Sequence, residues 1–477
     1  MAIVTSKFRT QAASSFATAF GTNNIYLMLG RPQPWDDTLS PNWQAQASGA
    51  VTDSNPPNPA DNDKNIFAFW REAMAAVRIT GSDVRLATTK NTWIPNIRYD
   101  MYRDDINSAQ ATSTGKYSLG DSNMIVYVTS TGAVYKCLYN GTNAAFTTGV
   151  LSTVQPSALT AAPETVSDGY KWKYMYTLTA SDADFVTANY IPVPNSGSSV
   201  SSINGIDVIL VTNSGSAYAA APTVTIYGDG TGATATAITS AGVVTGITVN
   251  NVGEGYTWAK VTLTGGSPTS QASATAIIAP AGGHGSNFIA ECYAKNVMIA
   301  ATVSGYQAND IPVNQDFRSI GIVSNPTVYV TSAVTSAGTA ISLTTAMVMR
   351  TLQMTSTATT APANDIVISN ASGAQGLAVF QSSGTVSLSY IQPVKTDSST
   401  LTTAESARID TAGTKQLLQF ANGNTITGAG YSQAVSSVTA VTPEIQPYSG
   451  NFLYLDYRQP VTRSAGQNEK INIVINF

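Results

Sequence analysis

Short runs of β-branched and aromatic residues, each bounded by glycine, asparagine, aspartate or serine, recur along this chain. Clear examples lie at residues 124–129, 133–139 and 171–179. Branching at Cβ restricts side-chain torsion and suits a pleated sheet, while the bounding residues favour turns. Long helical patterns are few. The sequence therefore predicts a mainly β protein whose core consists of antiparallel, sandwich-like sheets with a few short helices.

Two stretches carry apolar residues at helical spacing, at residues 5–21 and 65–79. Gly21 and Gly81 stand at their ends as stop signals, so each stretch is predicted to be a short amphipathic helix. The last seven residues instead alternate apolar and polar and stop at Phe477. That pattern predicts a half-buried strand and a docked C-terminus.

The low charge of the chain limits the classes of partner. Only 11% of its 477 residues are charged, and the net charge is −4. Nucleic-acid grooves depend on clustered Lys and Arg, so no nucleic-acid partner is expected. No apolar run approaches the roughly 18 residues of a membrane span, and none is expected to insert. Cys137 and Cys292 are too few for a disulfide framework and are expected to be buried free thiols.

A weak internal repeat lies within the Gly-, Thr- and Ala-rich segment 196–284. Gly215 and Tyr218, which precede one strand-like run, return as Gly253 and Tyr256 before another. A gap of 38 residues between the tyrosines suits a small duplicated β unit that cannot bury its apolar face alone. We interpret this segment as an inserted β module.

A second insert is expected at residues 332–442, which are rich in Ser, Thr and Ala. Strand-like runs lie within it at residues 346–349 and 384–391. Disordered segments usually combine low hydrophobicity with high net charge. Because this segment has β-branched content and little charge, we expect a folded β domain.

Six segments, spread in order along the chain, carry a family resemblance. They are residues 2–10, the Gly-Arg element at 29–35 that ends in Pro34-Trp35, residues 168–174, residues 190–194, Ser324-Asn325-Pro326, and residues 454–473. Together they resemble the baseplate wedge subunits of T-even-like contractile-tailed phages, the gene product eight family. Both inserts fall between these segments, as expected for enlarged surface loops.

The resemblance implies a structural role without catalysis, cofactor or metal. The chain would be a homodimer in the tail baseplate of the virion, would contact other wedge proteins, and would be assembled in the host cytoplasm. The family core would occupy residues 1–195, 285–331 and 443–477, with the inserts between them.

The candidate interface residues implied by the resemblance are Arg9, Arg31, Trp35, Tyr454 and Arg458. Arginine and tryptophan are favoured at interface centres, because a guanidinium forks onto oxygen acceptors and an indole buries a large area. The alternative for each is packing or capping within the chain.

His284 is the only histidine and stands in a Gly-Gly-His-Gly stretch. A flexible glycine stretch holds a catalytic base poorly, so a loop or a hinge leaving the insert is expected instead. One histidine and two distant cysteines have no zinc-ligand spacing, and no metal site is predicted.

Other chemical signals are weak. Candidate carboxylates for sugar cleavage are Asp100, Asp104, Asp105 and Glu164. Turn capping or pairing with Arg98 or Arg103 is the favoured interpretation of the adjacent pair 104–105. Asp61-Asn62-Asp63 lacks the glycine and distal glutamate of a calcium loop, and the glycines at 228–232 lack the lysine of a phosphate loop.

Two alternative functions remain from the sequence. In the first, the repeat module is a glycan-binding adhesin that presents Tyr227, Tyr256 and Trp258 to host-surface sugars, which requires the rings to be exposed on one face. The second is a glycan depolymerase, which requires two carboxylates about 5 to 10 Å apart in a cleft.

Overall fold

The structure is a computed structural model. It describes residues 3–31, 34–35, 51–107, 111–145, 147–195, 197, 200, 203–303, 315–327, 347–348, 352–356, 367–370, 375–382, 385–389, 423–428, 431–440, 445, 448–463 and 469–477. The chain divides into two compact units. One comprises Met1–Thr18, Val84–Ala300 and Asn472–Phe477, and the other comprises Ala19–Asp83 and Ala301–Ile471.

The described α-helices are α1 (Ser6–Thr22), α2 (Asp63–Glu72) and α3 (Phe288–Glu291). The described strands are β1 (Ile25–Gly30), β2 (Ala73–Ile79), β3 (Val84–Thr89), β4 (Ile125–Val128), β5 (Ala133–Tyr139), β6 (Glu164–Thr165), β7 (Lys171–Thr177), β8 (Tyr190–Val193), β9 (Ile206–Asn213), β10 (Thr223–Gly228), β11 (Thr234–Ser240), β12 (Val243–Asn251), β13 (Ala259–Thr264), β14 (Ser273–Ile278), β15 (Asn296–Val303), β16 (Gln315–Ser324), β17 (Met347–Val348), β18 (Leu352–Ser356), β19 (Val367–Asn370), β20 (Gln375–Ser382), β21 (Thr385–Ser389), β22 (Thr425–Gly428), β23 (Tyr431–Ala440), β24 (Asn451–Arg463) and β25 (Glu469–Asn476). The prediction of a mainly β fold is confirmed.

Two four-stranded antiparallel sheets form much of the first unit. Their strand orders are β4-β5-β7-β6 and β25-β15-β3-β8. Strands β4, β5 and β7 coincide with the three clearest strand-like runs, and β25 is the predicted C-terminal strand. The ring of Phe477 lies 5.4 Å from that of Phe16 on α1, so the terminal aromatic is docked.

The repeat module consists of three antiparallel strand pairs in the first unit. Strand β9 pairs with β14, β10 with β13, and β11 with β12. Each repeat therefore contributes one strand to every pair. The apolar faces enclose two small cores, one around Tyr218 and one around Tyr256. Neither repeat closes a core alone, because each core contains strands from both repeats.

The second unit contains a five-stranded sheet and a closed barrel. The sheet has the order β17-β2-β1-β16-β24, and the barrel runs β18-β21-β20-β19-β22-β23. The barrel strands fall in the predicted second insert, as does β17, which nevertheless pairs with β2 of the sheet. Apart from these strands and residues 423–424, residues 332–442 lie outside the described residues.

The second predicted helix is wrong in its second half. Helix α2 ends at Glu72, and Ala73–Ile79 forms strand β2. This strand pairs with β1 along its whole length and is buried on both faces. A fully buried strand is continuously apolar, so its pattern overlaps with that of a helix and the sheet partner decides between them.

Both cysteines, Cys137 and Cys292, are buried free thiols, as predicted. Among the described helices, none combines the length and the apolar character needed to cross a membrane.

Candidate functional site

The Gly-Arg element of the second unit lies directly after β1. A Cβ on Gly30 would come within 2.9 Å of Ser319 Oγ and 3.0 Å of the Glu72 carbonyl oxygen, so only glycine fits between these neighbours. Arg31 follows in the left-handed region, with φ of 54°. Its amide donates a 3.0 Å hydrogen bond to the same carbonyl. A non-glycine residue in this region costs free energy, which the surrounding contacts must offset.

Arg31 is buried, with 1% of its surface exposed. Its Nη1 lies 2.7 Å from Glu72 Oε1, and its Nη2 donates a 2.7 Å hydrogen bond to the Pro34 carbonyl. The guanidinium carbon is 4.3 Å from the centroid of the Trp35 ring. The ion pair and the cation–π contact together hold the loop against α2.

Trp35 connects this loop to β24. Its indole Nε1 donates a 2.8 Å hydrogen bond to the carbonyl oxygen of Arg458. Its ring packs on Tyr457 with centroids 4.8 Å apart. The Tyr457 hydroxyl in turn donates a 3.1 Å hydrogen bond to Asn65 Oδ1 on α2.

Asp53 and Arg318 form a second ion pair beside Trp35. Arg318 Nε and Nη2 each lie 2.8 Å from one carboxylate oxygen of Asp53, a two-pronged arrangement. Asp53 also accepts a 2.9 Å hydrogen bond from the Trp35 amide. The hydrogen bond from Arg318 is the largest influence on the pKa of Asp53. It lowers this pKa below the ordinary value, although partial burial acts in the opposite direction.

The structure brings Arg31, Trp35 and Arg458 together, although they were singled out from opposite ends of the chain. The side chains of Arg31 and Trp35 are buried, which corrects the expectation that they contact a partner directly. They contact their own chain, which is the packing alternative that the sequence left open. Sequence reasoning missed Glu72 and Asp53. In so weakly charged a chain, each carboxylate was a candidate partner for a buried arginine.

The remaining interface candidates reach the surface. Arg9 is exposed on α1, and Tyr454 is partly buried. The side chain of Arg458 is 42% exposed, and its Nη2 lies 2.7 Å from Asp456 Oδ2.

A second polar cluster, in the first unit, surrounds His284. This residue lies in the turn between β14 and α3, as expected for a loop that leaves the insert, but its side chain is buried, with 1% exposed. Lys136 Nζ lies 2.9 Å from Glu291 Oε2 and 3.1 Å from His284 Nδ1. Asp207 Oδ2 is 3.8 Å from the other ring nitrogen. The neighbouring glycines 282, 283 and 285 all have positive φ, which lets the chain turn His284 inward.

The electrostatics of this cluster keep the imidazole neutral. Burial, followed by the charge of Lys136, lowers the pKa of His284 to about 4. Burial alone would raise the pKa of Glu291, but Lys136 and His284 lower it to about 2. A buried lysine and glutamate therefore remain an ion pair, and the neutral imidazole accepts a hydrogen bond from Lys136. The cluster fastens β5, β9 and α3 together.

The three candidate aromatics of the repeat module do not share one surface. Tyr227 and Trp258 are 56% and 55% exposed, but Tyr256 is only 3% exposed. The expectation that all three rings face a glycan is therefore wrong for Tyr256. Its hydroxyl accepts a hydrogen bond from the Ala233 amide, and glycines 228 and 230 pass close over its ring.

The candidate carboxylates are engaged within the chain. Asp100 accepts hydrogen bonds from Ser113 and Thr114, and Glu164 accepts them from Ser157. Asp105 forms two hydrogen bonds with Arg103, as predicted. Asp104 accepts a long hydrogen bond from the Ile278 amide, and burial raises its pKa. These contacts are typical of turn stabilisation.

The Asp61-Asn62-Asp63 stretch also has a structural explanation. Asn62 accepts a 2.9 Å hydrogen bond from the Asn65 amide, so the Asp-Asn-Asp stretch caps α2. No group of three or more metal-binding side chains occurs among the described residues.

The part of the chain that contains the Arg31 loop is similar to a known family. The family described as bacteriophage T4 Gp8 matches residues 2–166. We refer to residues 2–166, which match this family, as the Gp8-family region. The baseplate wedge protein gp8 of Enterobacteria phage T4 is 26% identical over 214 residues, which cover 40% of this chain. The match spans 60% of the length of that relative. The resemblance predicted from the sequence is confirmed.

The Gp8-family region contains only part of each polar network. Arg31, Trp35, Asp53 and Glu72 lie within it, whereas their partners on β16 and β24 lie beyond residue 166. Lys136 also lies within the region, but its partners lie beyond it: His284 is the last residue of the repeat module, and Glu291 follows the module. The repeat module itself lies outside the Gp8-family region.

Proposed function

We propose that this chain is a structural subunit of a phage tail baseplate wedge. It acts through homodimerisation and through contacts with other wedge proteins, and it has no catalytic role. It belongs to the virion baseplate and is assembled in the host cytoplasm. The observation that carries this proposal is the Gp8-family match over residues 2–166, together with the similarity to a T4 protein named as a baseplate wedge protein.

The N-terminal segment offers one contact surface within that region. Ile3, Val4 and Phe8 are 83%, 59% and 65% exposed, and Arg9 beside them is exposed as well. Exposed apolar side chains grouped with an arginine are typical of protein interfaces. A partner that covers this segment would bury the apolar groups and pair with the guanidinium.

Strand β24 offers a second surface, at the edge of the five-stranded sheet. Arg458 is presented there by the Trp35 hydrogen bond to its carbonyl, and Leu453 on the same strand is 41% exposed. In this proposal Arg31 and Trp35 are positioning residues, while Arg458, with Tyr454 beside it, meets the partner.

The test is to measure the mass of the full chain in solution and then mix it with candidate wedge proteins from the same genome. A dimer that joins a larger complex supports the proposal. We expect Phe8→Ser with Arg9→Ala, and separately Arg458→Ala, to weaken assembly about tenfold. Lys116→Ala, which removes a charge from an exposed loop, is the matched control and should assemble normally. A folded chain that joins no wedge protein would overturn the proposal.

The glycan-binding alternative concerns the exposed rings of the repeat module and is independent of the wedge contacts. The depolymerase alternative has less support, because the candidate carboxylates are engaged in turns and ion pairs.

A further inference from the structure

The two repeats of the module are related by matching contacts 38 residues apart. Asn213 accepts a hydrogen bond from the Gly215 amide, and Asn251 accepts one from the Gly253 amide. The Tyr218 hydroxyl accepts a 2.8 Å hydrogen bond from Ala272 in the second repeat. Reciprocally, the Tyr256 hydroxyl accepts from Ala233 in the first repeat. Each tyrosine hydroxyl therefore forms a hydrogen bond with the backbone of the other repeat.

The matching extends to the glycines that pass over these rings. A Cβ on Gly228 would lie 2.6 Å from the Trp258 carbonyl oxygen and 2.8 Å from the Tyr256 ring. A Cβ on Gly266 would lie 2.4 Å from the Ala220 carbonyl oxygen and 2.7 Å from the Tyr218 ring. The two ends of the module are thus built in a similar way, with the tyrosines and these glycines 38 residues apart and the two alanine amides 39 apart.

The end of the module near Tyr256 carries large exposed side chains at positions where the end near Tyr218 has small residues. At the spacing of 38 residues, Tyr227 corresponds to Gly265, Trp258 to Ala220 and Asp229 to Ser267. The backbone differs at Gly265 and Ser267, which have positive φ, whereas Tyr227 and Asp229 do not. Ala220 makes its close backbone contact with Gly266 without a ring, so the Trp258 ring is not needed for the equivalent contact with Gly228. Exposed aromatics that the scaffold does not require mark a binding surface.

The side chains at this end share the outer face of the β10–β13 pair. Tyr227 lies opposite Lys260 in the register, and both are exposed. Asp229 and Trp258 follow one step beyond the last paired residues, and the Trp258 amide donates a 3.2 Å hydrogen bond to Asp229. Alternation along the strands therefore places both rings on one face, as diagonal neighbours.

Asp229 is held in place as a charged acceptor. It accepts hydrogen bonds from the Thr257 amide, at 2.9 Å, and from the Thr257 hydroxyl. The hydroxyl contact is the largest influence that lowers the pKa of Asp229, which falls to about 2. The carboxylate stays ionised and exposed, with lone pairs free to accept from a ligand.

We propose that Tyr227, Trp258, Asp229 and Lys260 form a binding site for a neutral hexose saccharide. The flat rings match the apolar faces of pyranose units, and the carboxylate and ammonium can accept from and donate to their hydroxyls. One positive and one negative side chain leave the surface without net charge, which favours a neutral ligand over an acidic polysaccharide or a nucleic acid.

The test is affinity electrophoresis of the full chain in native gels that contain dextran, mannan or galactan. We expect retardation in at least one neutral gel and none in an alginate gel. Trp258→Ala introduces the residue that stands at the equivalent position, Ala220, and should weaken retention about tenfold without unfolding the module. Asp229→Ser removes the carboxylate and should weaken retention as well. Tyr117→Ala, which removes a ring that is 64% exposed elsewhere, is the matched control.

The proposal would be overturned by the absence of retardation in every neutral gel, or by retention that Trp258→Ala leaves unchanged. The same gels are run with alginate, single-stranded DNA or a proline-rich peptide in place of the neutral polysaccharide. Retardation by one of these alone would also overturn the proposal, in favour of a different ligand. Wedge assembly is measured separately, on the Arg458 and Phe8 variants. A negative result in the saccharide gels therefore does not bear on the proposed structural function.

Discussion

The indole Nε1 of Trp35 donates a 2.8 Å hydrogen bond to the carbonyl oxygen of Arg458, across 423 positions of sequence. The bond joins the loop after β1 to strand β24 within the second unit. It satisfies a buried donor on one side and orients a partly exposed arginine on the other.

Trp35→Phe tests this bond. It keeps an aromatic ring near Arg31 and Tyr457 but leaves the Arg458 carbonyl without its donor. We expect a loss of about 1–3 kcal/mol in the free energy of unfolding, measured by urea denaturation. Trp93→Phe is the control, since the Trp93 indole makes only a 3.3 Å bond to Ser152. Equal losses for both variants would contradict the role assigned to Trp35.

Lys136→Met tests the buried ion pair of the first unit. The substitution leaves Glu291 buried without its partner, and such changes cost about 3–5 kcal/mol. The double variant Lys136→Met with Glu291→Gln removes the uncompensated charge and should recover much of the loss. Denaturation of the single and double variants gives the coupling energy. Additive losses would show that the two residues do not act as a pair.

The pH dependence of stability tests the neutral state of His284. Its pKa lies at about 4 in the folded chain, against about 6.5 when exposed. Between these values the unfolded chain binds a proton that the folded chain does not, so stability falls as the pH drops from 6.5 towards 4. The shift corresponds to about 3 kcal/mol at most.

The carboxylate of Glu291 contributes in a lower window. Its folded pKa of about 2 means that its stabilisation is lost only as the pH falls below about 4.5. In a His284→Asn variant, the unfolding midpoint should therefore depend less steeply on pH between 6.5 and 4.5 than it does in the wild type. Burial raises the pKa of Tyr102, whose ring packs against the imidazole, so this phenol stays neutral across that window. An unchanged slope would rule out His284 as the group that titrates.

Gly230→Ala tests the close approach of the hairpin to Tyr256. A Cβ at this position would lie 2.5 Å from the Tyr256 ring, which is buried and cannot move aside. We expect destabilisation of about 1–3 kcal/mol. Gly246→Ala, where no atom lies within 4 Å of the new Cβ, should be neutral or slightly stabilising. Thermal unfolding of both variants makes the comparison, and equal midpoints would contradict the packing described.

Local pattern was sufficient where the residue types themselves favour one conformation. Strands β4, β5 and β7 follow from β-branched and aromatic runs bounded by turn residues, β25 follows from alternation, and α1 follows from helical spacing. The pattern failed at β2, because its run of mainly alanine and methionine does not alternate and suits a helix as well as a strand buried on both faces.

The sequence by itself determined the mainly β class, the duplicated unit of the repeat module and the resemblance to the wedge family. It also singled out Arg31, Trp35 and Arg458. The tertiary structure alone decided that Arg31 and Trp35 face inward, that His284 is a buried anchor, and that Tyr256 fills a core while Trp258 does not. Burial and ion pairing depend on contacts between residues that are far apart in the chain. The spacing of residues along the sequence does not show which distant side chains will be in contact.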